Sequence, residues 1–309
     1  MKYPVLDGHC DTAVELWRKG ESLAKNSGQI SLAQAEEFPA YVQFFAFCTV
    51  WIKNAQTDEE RFASAMAYFS EQLREHNIPR CRTSADVSAI LQNGGVGAAL
   101  SIEGAEAFGC DPGRLEELAA QGVRMIAPVW NAENALAGSC MTGGGLTAQG
   151  REFVRRAQRA GIIVDVSHSS ERTFWDICEI AEKPIVASHS NAKAVCGHVR
   201  NLTDEQFRAI CDLGGTAGLN LYAAFLHESG RATMDDVRRH LEHFLALCGD
   251  GHLALGGDLD GCSVLPEGFA GVDSYAMLAQ WLEDRKLPSS TIENIFSESL
   301  LKVVKQCTM

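Results

Sequence analysis

Six side chains in this 309-residue sequence carry most of its chemical potential: His9 and Asp11 in "VLDGHCDT", Glu103 in "SIEG", His168 in "DVSH", His189 in "ASHS" and Asp258 in "GGDLDG". His9 and Asp11 stand one residue apart at the end of an apolar run. Alternation along a strand sends both side chains to one face and Cys10 to the other. Imidazole and carboxylate are both metal ligands and both proton carriers. An isolated His-x-Asp is better explained by a strand end hydrogen-bonded to a loop than by a metal, so the pair acquires meaning only from the rest of the chain. A glutamate flanked by a His/Asp pair on one side and two histidines on the other can bridge two cations, which turns repulsion among acids into ligation. The set His9, Asp11, Glu103, His168 and His189 would then hold two ions per chain. Three imidazoles with two carboxylates suit Zn²⁺ best, with Mn²⁺ or Co²⁺ as alternatives. Asp258 is of the right type for a general acid or base beside them.

Residues so far apart need a scaffold that gathers strand ends. Eight apolar runs qualify as strands: "PVLDGH", "YVQFFAFCTVW", "GVGAALSIEG", "VRMIAPVW", "GIIVDVSH", "KPIVASHS", "GGTAGLNLY" and "HLALGGDLDG". They are apolar throughout, as strands of a parallel sheet covered by helices on both faces should be. Helical patterns lie between them, among them "QGREFVRRAQRAG", "ERTFWDICEIAE" and "MDDVRRHLEHFLALCG". Thr57 with Glu60, Thr203 with Gln206 and Ser290 with Glu293 fit the capping box. Strands alternating with helices, with no linker or repeat to divide them, predict one (β/α)8 TIM barrel over residues 1–309. A doubly wound sheet is the runner-up, and no G-x-G-x-x-G follows an early strand to favour it. In a barrel of this kind the chemistry sits at the C-terminal ends of the strands, and that is where all six residues fall.

Composition narrows the partners. The net charge of −13 and the pI near 5.2 repel nucleic acid and anionic membranes on average. Eleven scattered cysteines without a C-x-x-C pattern read as reduced thiols. No apolar run is long enough to span a bilayer, and "MKYPVLDG" leaves no room for a secretory leader, so a soluble, cytoplasmic protein is the expectation. The remaining histidines stay outside the predicted site. His240 and His243 in "RRHLEHF" are assigned to a solvated helix face, while His76, His198, His227 and His252 are assigned to loops or helix ends; of these His198 alone is near enough in sequence to reach the mouth.

The motifs "DGHCDT", "SIEGAEAF", "GLTAQGREFVRRAQRAGIIVDVSHSSERTF", "PIVASHSNAKAVCGHVRNLTDEQF" and "LALGGDLDG", in this order, resemble those of the membrane (renal-type) dipeptidase family of metal-dependent (β/α)8 hydrolases. The likeness extends to "ENIFSESLLKVV", over nearly the whole chain. It implies that His9 and Asp11 hold one zinc, His168 and His189 the other, and Glu103 both. It implies that Arg200 in "HVRN" contacts the substrate carboxylate and that Asp258 handles the substrate amine or shuttles a proton. Asp260 is a further candidate near the metals, and Tyr222 in "LNLY" a candidate for the pocket wall. Where family members carry a pocket histidine after the fourth strand, this chain has Trp130, which donates one N–H and does not titrate like imidazole; Asn131 or the metal is then the candidate for polarising the carbonyl.

The resemblance thus implies a binuclear zinc dipeptidase acting on small dipeptides with a free C-terminal carboxylate, tolerant of a D-residue at the second position. An N-acyl-amino-acid deacylase, or another small amide or lactone hydrolase, is the alternative that Trp130 raises. A non-catalytic metal-dependent binding protein is a third. The resemblance also leaves a homodimer open.

Overall fold

The eight apolar runs become eight parallel strands: β1 (Val5–Cys10), β2 (Ala40–Phe47), β3 (Gly95–Glu103), β4 (Val123–Ala127), β5 (Ile163–Val164), β6 (Val186–Ala187), β7 (Thr216–Leu219) and β8 (Leu253–Leu255). The structure is a computed structural model and describes residues 1–248 and 250–308. The strands are hydrogen-bonded in the order β5-β4-β3-β2-β1-β8-β7-β6. A parallel bridge between Asp165 and Val186, with the Val166 N–H donating to the Val186 carbonyl at 2.8 Å, joins β5 to β6. The predicted (β/α)8 TIM barrel is therefore the fold. Among the described residues no helix is long and apolar enough to cross a membrane.

The lumen fills from the strands themselves. Leu6, Val42, Phe44, Ala99, Met125, Ile163, Val186 and Ala254 form one buried cluster, and the C-terminal helix Ser299–Cys307 adds Leu300, Leu301, Val303 and Val304 to it. β7 and the segment after β8 contribute glycines instead. A Cβ on Gly218 or Gly256 would fall 1.9 or 1.8 Å from the Ser188 carbonyl oxygen, so only glycine lets these backbones pass so close. The outer faces pack against the helices in a larger apolar cluster.

Strand ends and helix starts differ from expectation in instructive places. β2 stops at Phe47 rather than running to Trp51, and β4 stops at Ala127, before Pro128, which has no N–H to give a ladder. The capping boxes at Thr57 and Thr203 form. That at Ser290 does not: the helix there begins at Ser289 behind Pro288, without a side-chain cap. A box at Thr83 with Asp86 was missed because its acid is one methylene shorter than the template expects.

Candidate metal centre

β1 delivers His9 and then breaks register between Asp7 and Cys10, so that Asp11 lands at the start of the helix Thr12–Lys19 and faces the barrel mouth. Glu103 is the last residue of β3. His168 and His189 follow β5 and β6, and Asp258 follows β8. Asp258 sits at φ 56°, a left-handed conformation that carboxamide and carboxylate residues tolerate better than most. Its Oδ2 accepts from Asn220 Nδ2 at 2.9 Å. All of these except Asp11 are buried.

Two of the imidazoles have their tautomers fixed from behind. His168 Nδ1 faces the Asn131 Oδ1 at 3.1 Å, and an amide oxygen only accepts, so Nδ1 carries the hydrogen. His189 Nδ1 lies 2.7 Å from Ser188 Oγ. That hydroxyl donates to Asp165 Oδ2, so it accepts from the ring. Both Nε2 atoms are left with lone pairs, and they point at each other across 3.2 Å. Glu103 Oε1 joins them at 2.8 Å from His168 and 3.3 Å from His189, without a hydrogen bond of its own. Lone pairs converge on one point and nothing protic separates them, which is the donor set of a cation site.

The second half is assembled around His9, whose buried Nε2 has no hydrogen-bond partner. Asp11 Oδ2 is 3.6 Å from it, Asp258 Oδ1 3.8 Å and Glu103 Oε2 3.9 Å. His9, Glu103 and His189 form one group able to hold a metal, and His9, Asp11 and Asp258 another. The residues therefore fit a metal, and Glu103 faces both groups.

The titration pattern has the same origin. Burial alone would lower the pKa of His9, yet the Glu103, Asp11 and Asp258 carboxylates overcome it and push His9 up to about 10. Burial raises Asp11 to about 7 and raises Asp258 as well. Burial works against the Glu103 charge too, but the His168 and His9 imidazoles hold that carboxyl well below its ordinary range. His168 and His189 are lowered by burial first. A proton on His9 is thus the local substitute for positive charge that the carboxylates demand.

These groups open into a cavity of about 550 Å³ at the barrel mouth. Arg200 reaches it from the loop after β6. It is 5% exposed, its Nη1 and Nη2 have no partner, and its guanidinium lies 5.5 Å from the Phe225 ring centre. Trp130 and Tyr222 line the same space, Trp130 with its ring centroid 6.3 Å from that of His168 and Tyr222 edge-on to Phe225. Asn131 also lines it, but its carboxamide oxygen is engaged by His168. Asp260 touches the cavity while being tied elsewhere: its carboxylate accepts from the Thr12 hydroxyl and the Gln29 N–H, which fixes the loop beneath Asp11.

Two histidine assignments need correction. His240 is fully buried, not solvated; its Nδ1 accepts from the Ala192 N–H at 3.1 Å and its Nε2 meets the Leu226 carbonyl at 3.0 Å. His198, set outside the site, lines the cavity. Its ring packs 4.4 Å from that of Phe225, and its Nδ1 accepts from the backbone N–H of Arg200. Sequence reading also passed over Asn220 and Ser188, which carry no metal-ligand signature of their own, Asp165, which lies inside the apolar run before His168, and Trp51.

A model of the membrane dipeptidase family (peptidase family M19) matches residues 1–309. An uncharacterized protein in the pqqA 5′ region of Klebsiella pneumoniae is 35% identical over 250 residues, covering 76% of this chain and 92% of its own length. An uncharacterized dipeptidase of Schizosaccharomyces pombe is 30% identical over 287 residues, covering 86% of this chain and 69% of its own. The crystal structure of a metallopeptidase from Rhodobacter sphaeroides, liganded with a phosphinate mimic of the dipeptide L-Ala-D-Ala, superposes with a TM-score of 0.89 at 27% identity, covering 99% of this chain and 100% of that one.

Proposed function

The chain belongs to the membrane dipeptidase family of metallopeptidases, peptidase family M19, and from that premise we propose that it is a binuclear zinc enzyme hydrolysing dipeptides with a free C-terminal carboxylate. The observation that carries this reading is Arg200: a buried guanidinium whose terminal nitrogens have no partner, lining the same cavity as the His/Glu/Asp cluster. An unpaired buried charge is expensive, and a planar fork facing a cavity is matched by a carboxylate arriving with the ligand. Bound zinc would supply a water of lowered pKa and polarise the scissile carbonyl.

The chain's own groups do the rest. Glu103, His168, His189, His9 and Asp11 hold the ions, Arg200 anchors the carboxylate, and Asp258 carries a proton to the leaving amine, its carboxyl held in place by Asn220. Trp130, Asn131 and Tyr222 wall the site around the reacting bond. Asp258, the acid beside His9 that is not assigned to an ion, favours an ammonium group at that end, which supports a dipeptide over an N-acyl amino acid. The L-Ala-D-Ala mimic held by the Rhodobacter sphaeroides relative supports tolerance of a D-residue at the second position. Hydrolysis of L,L- and L,D-dipeptides beside N-acyl amino acids and dipeptide amides, with metal content measured, tests this. Turnover confined to N-acyl amino acids, or zinc bound with no hydrolysis of any member, would reject it.

A further inference from the structure

We propose that the N-terminal side chain of the substrate is received between Trp51, Val14 and Cys48, and that this subsite selects large apolar residues. The subsite rests on the dipeptidase reading, which places the substrate carboxylate at Arg200. In a closed ring of eight strands with the observed order, the position facing β6 across the mouth is β2. Arg200 comes from the loop after β6. With the carboxylate there and the scissile bond over Glu103 at the centre, the N-terminal residue must extend toward the ends of β1 and β2. Asp258, the carboxylate of this cavity not assigned to an ion, lies on the β8 side and suits its ammonium group. What remains on the β2 side is apolar apart from Glu15. Cys48 is buried directly after β2 and lines the same cavity as Glu103. Val14, buried on the first helix, lines the same cavity, and Trp51 stands at its rim, 40% exposed.

Trp51 is solvent-exposed because β2 ends four residues earlier than its apolar run. A large exposed indole at a cavity mouth is a surface awaiting an apolar partner. The one acid on this wall, Glu15, is already paired with Arg18 at 2.7 Å and Lys19 at 3.2 Å, and the Arg18 guanidinium lies 5.9 Å from the Trp51 ring centre. A basic side chain therefore gains nothing there.

The test holds the second residue constant and varies the first: Gly-Ala, Ala-Ala, Leu-Ala, Phe-Ala and Lys-Ala, on the zinc-loaded enzyme, with Trp51→Ala and Trp51→Phe. The expected result is a kcat/KM about tenfold or more higher for Leu-Ala and Phe-Ala than for Gly-Ala. Trp51→Ala should remove most of that gain while leaving Gly-Ala within about twofold, and Trp51→Phe should keep it. A flat wild-type series, a preference for Lys-Ala, or an equal loss on every substrate in Trp51→Ala would overturn the subsite while leaving the dipeptidase reading intact. No hydrolysis of any member would overturn both.

Discussion

The Nε2 atoms of His168 and His189 stand 3.2 Å apart, each with its hydrogen on the far side of the ring. Such a contact between lone pairs is repulsive until a cation enters. Removing metal with a chelator should abolish hydrolysis and lower Tm by about 5 °C or more, the scale expected when a ligand at roughly 100 times its Kd is withdrawn. Zinc should restore both, read by thermal melting and elemental analysis. Full activity at zero metal content would remove the basis of the site.

Arg200 should separate binding from folding. Arg200→Met loses charge-assisted bonds to the substrate of about 1.5 to 3 kcal/mol, so KM for free dipeptides should rise roughly 10- to 150-fold while dipeptide amides are barely affected. The same change removes a buried charge that the protein leaves unpaired, so the ligand-free variant should melt higher than the parent. A lower Tm with unchanged KM would contradict both halves.

The hydroxyl of Ser188 links Asp165 to His189. Ser188→Ala leaves the imidazole untethered, and metal affinity should fall about 10- to 100-fold as it does when an outer hydrogen bond to a ligating histidine is lost. Competitive chelator titration measures this, and His189→Ala sets the lower bound.

His240 predicts an acid limit to stability. Burial lowers its pKa from 6.5 to about 4, with Arg239 and His243 adding to the fall and the Leu226 carbonyl and Asp236 opposing it. The unfolded chain takes up a proton that the folded one refuses, so stability falls as pH drops through the window from about 6.5 to about 4, by up to about 3 kcal/mol. His240→Gln should flatten the slope of unfolding free energy against pH in that window. An unchanged slope would assign the acid sensitivity elsewhere.

The barrel and its mouth were legible because two periodic signals coincide in this chain: uniformly apolar runs, and a ligand-type residue directly after five of the eight. His9, Glu103, His168, His189 and Asp258 could be placed from that alone. What escaped depends on contacts that no spacing encodes. Asn220 and Ser188 are ordinary polar residues in sequence, and they matter because Asp258 and His189 lie beside them. Trp51 was absorbed into an apolar run that the chain leaves at Phe47. His240 was recoverable: Val237, Leu241 and Phe244 are buried on the same helix, and a residue at that spacing belongs to their stripe rather than to solvent.

The seam between β5 and β6 is the slightest in the barrel, two residues of strand on each side and the single bridge from Asp165 to Val186. The loops that leave this seam carry His168 and His189, and Asp165 itself anchors the hydroxyl that steadies His189. An ion gripped by both imidazoles would therefore act as a clasp over the weakest stave joint, so that metal capture and barrel closure would reinforce each other. Amide protons along Ile163–Val166 and Val186–Ser188 should consequently be the ones whose exchange slows most when zinc is added.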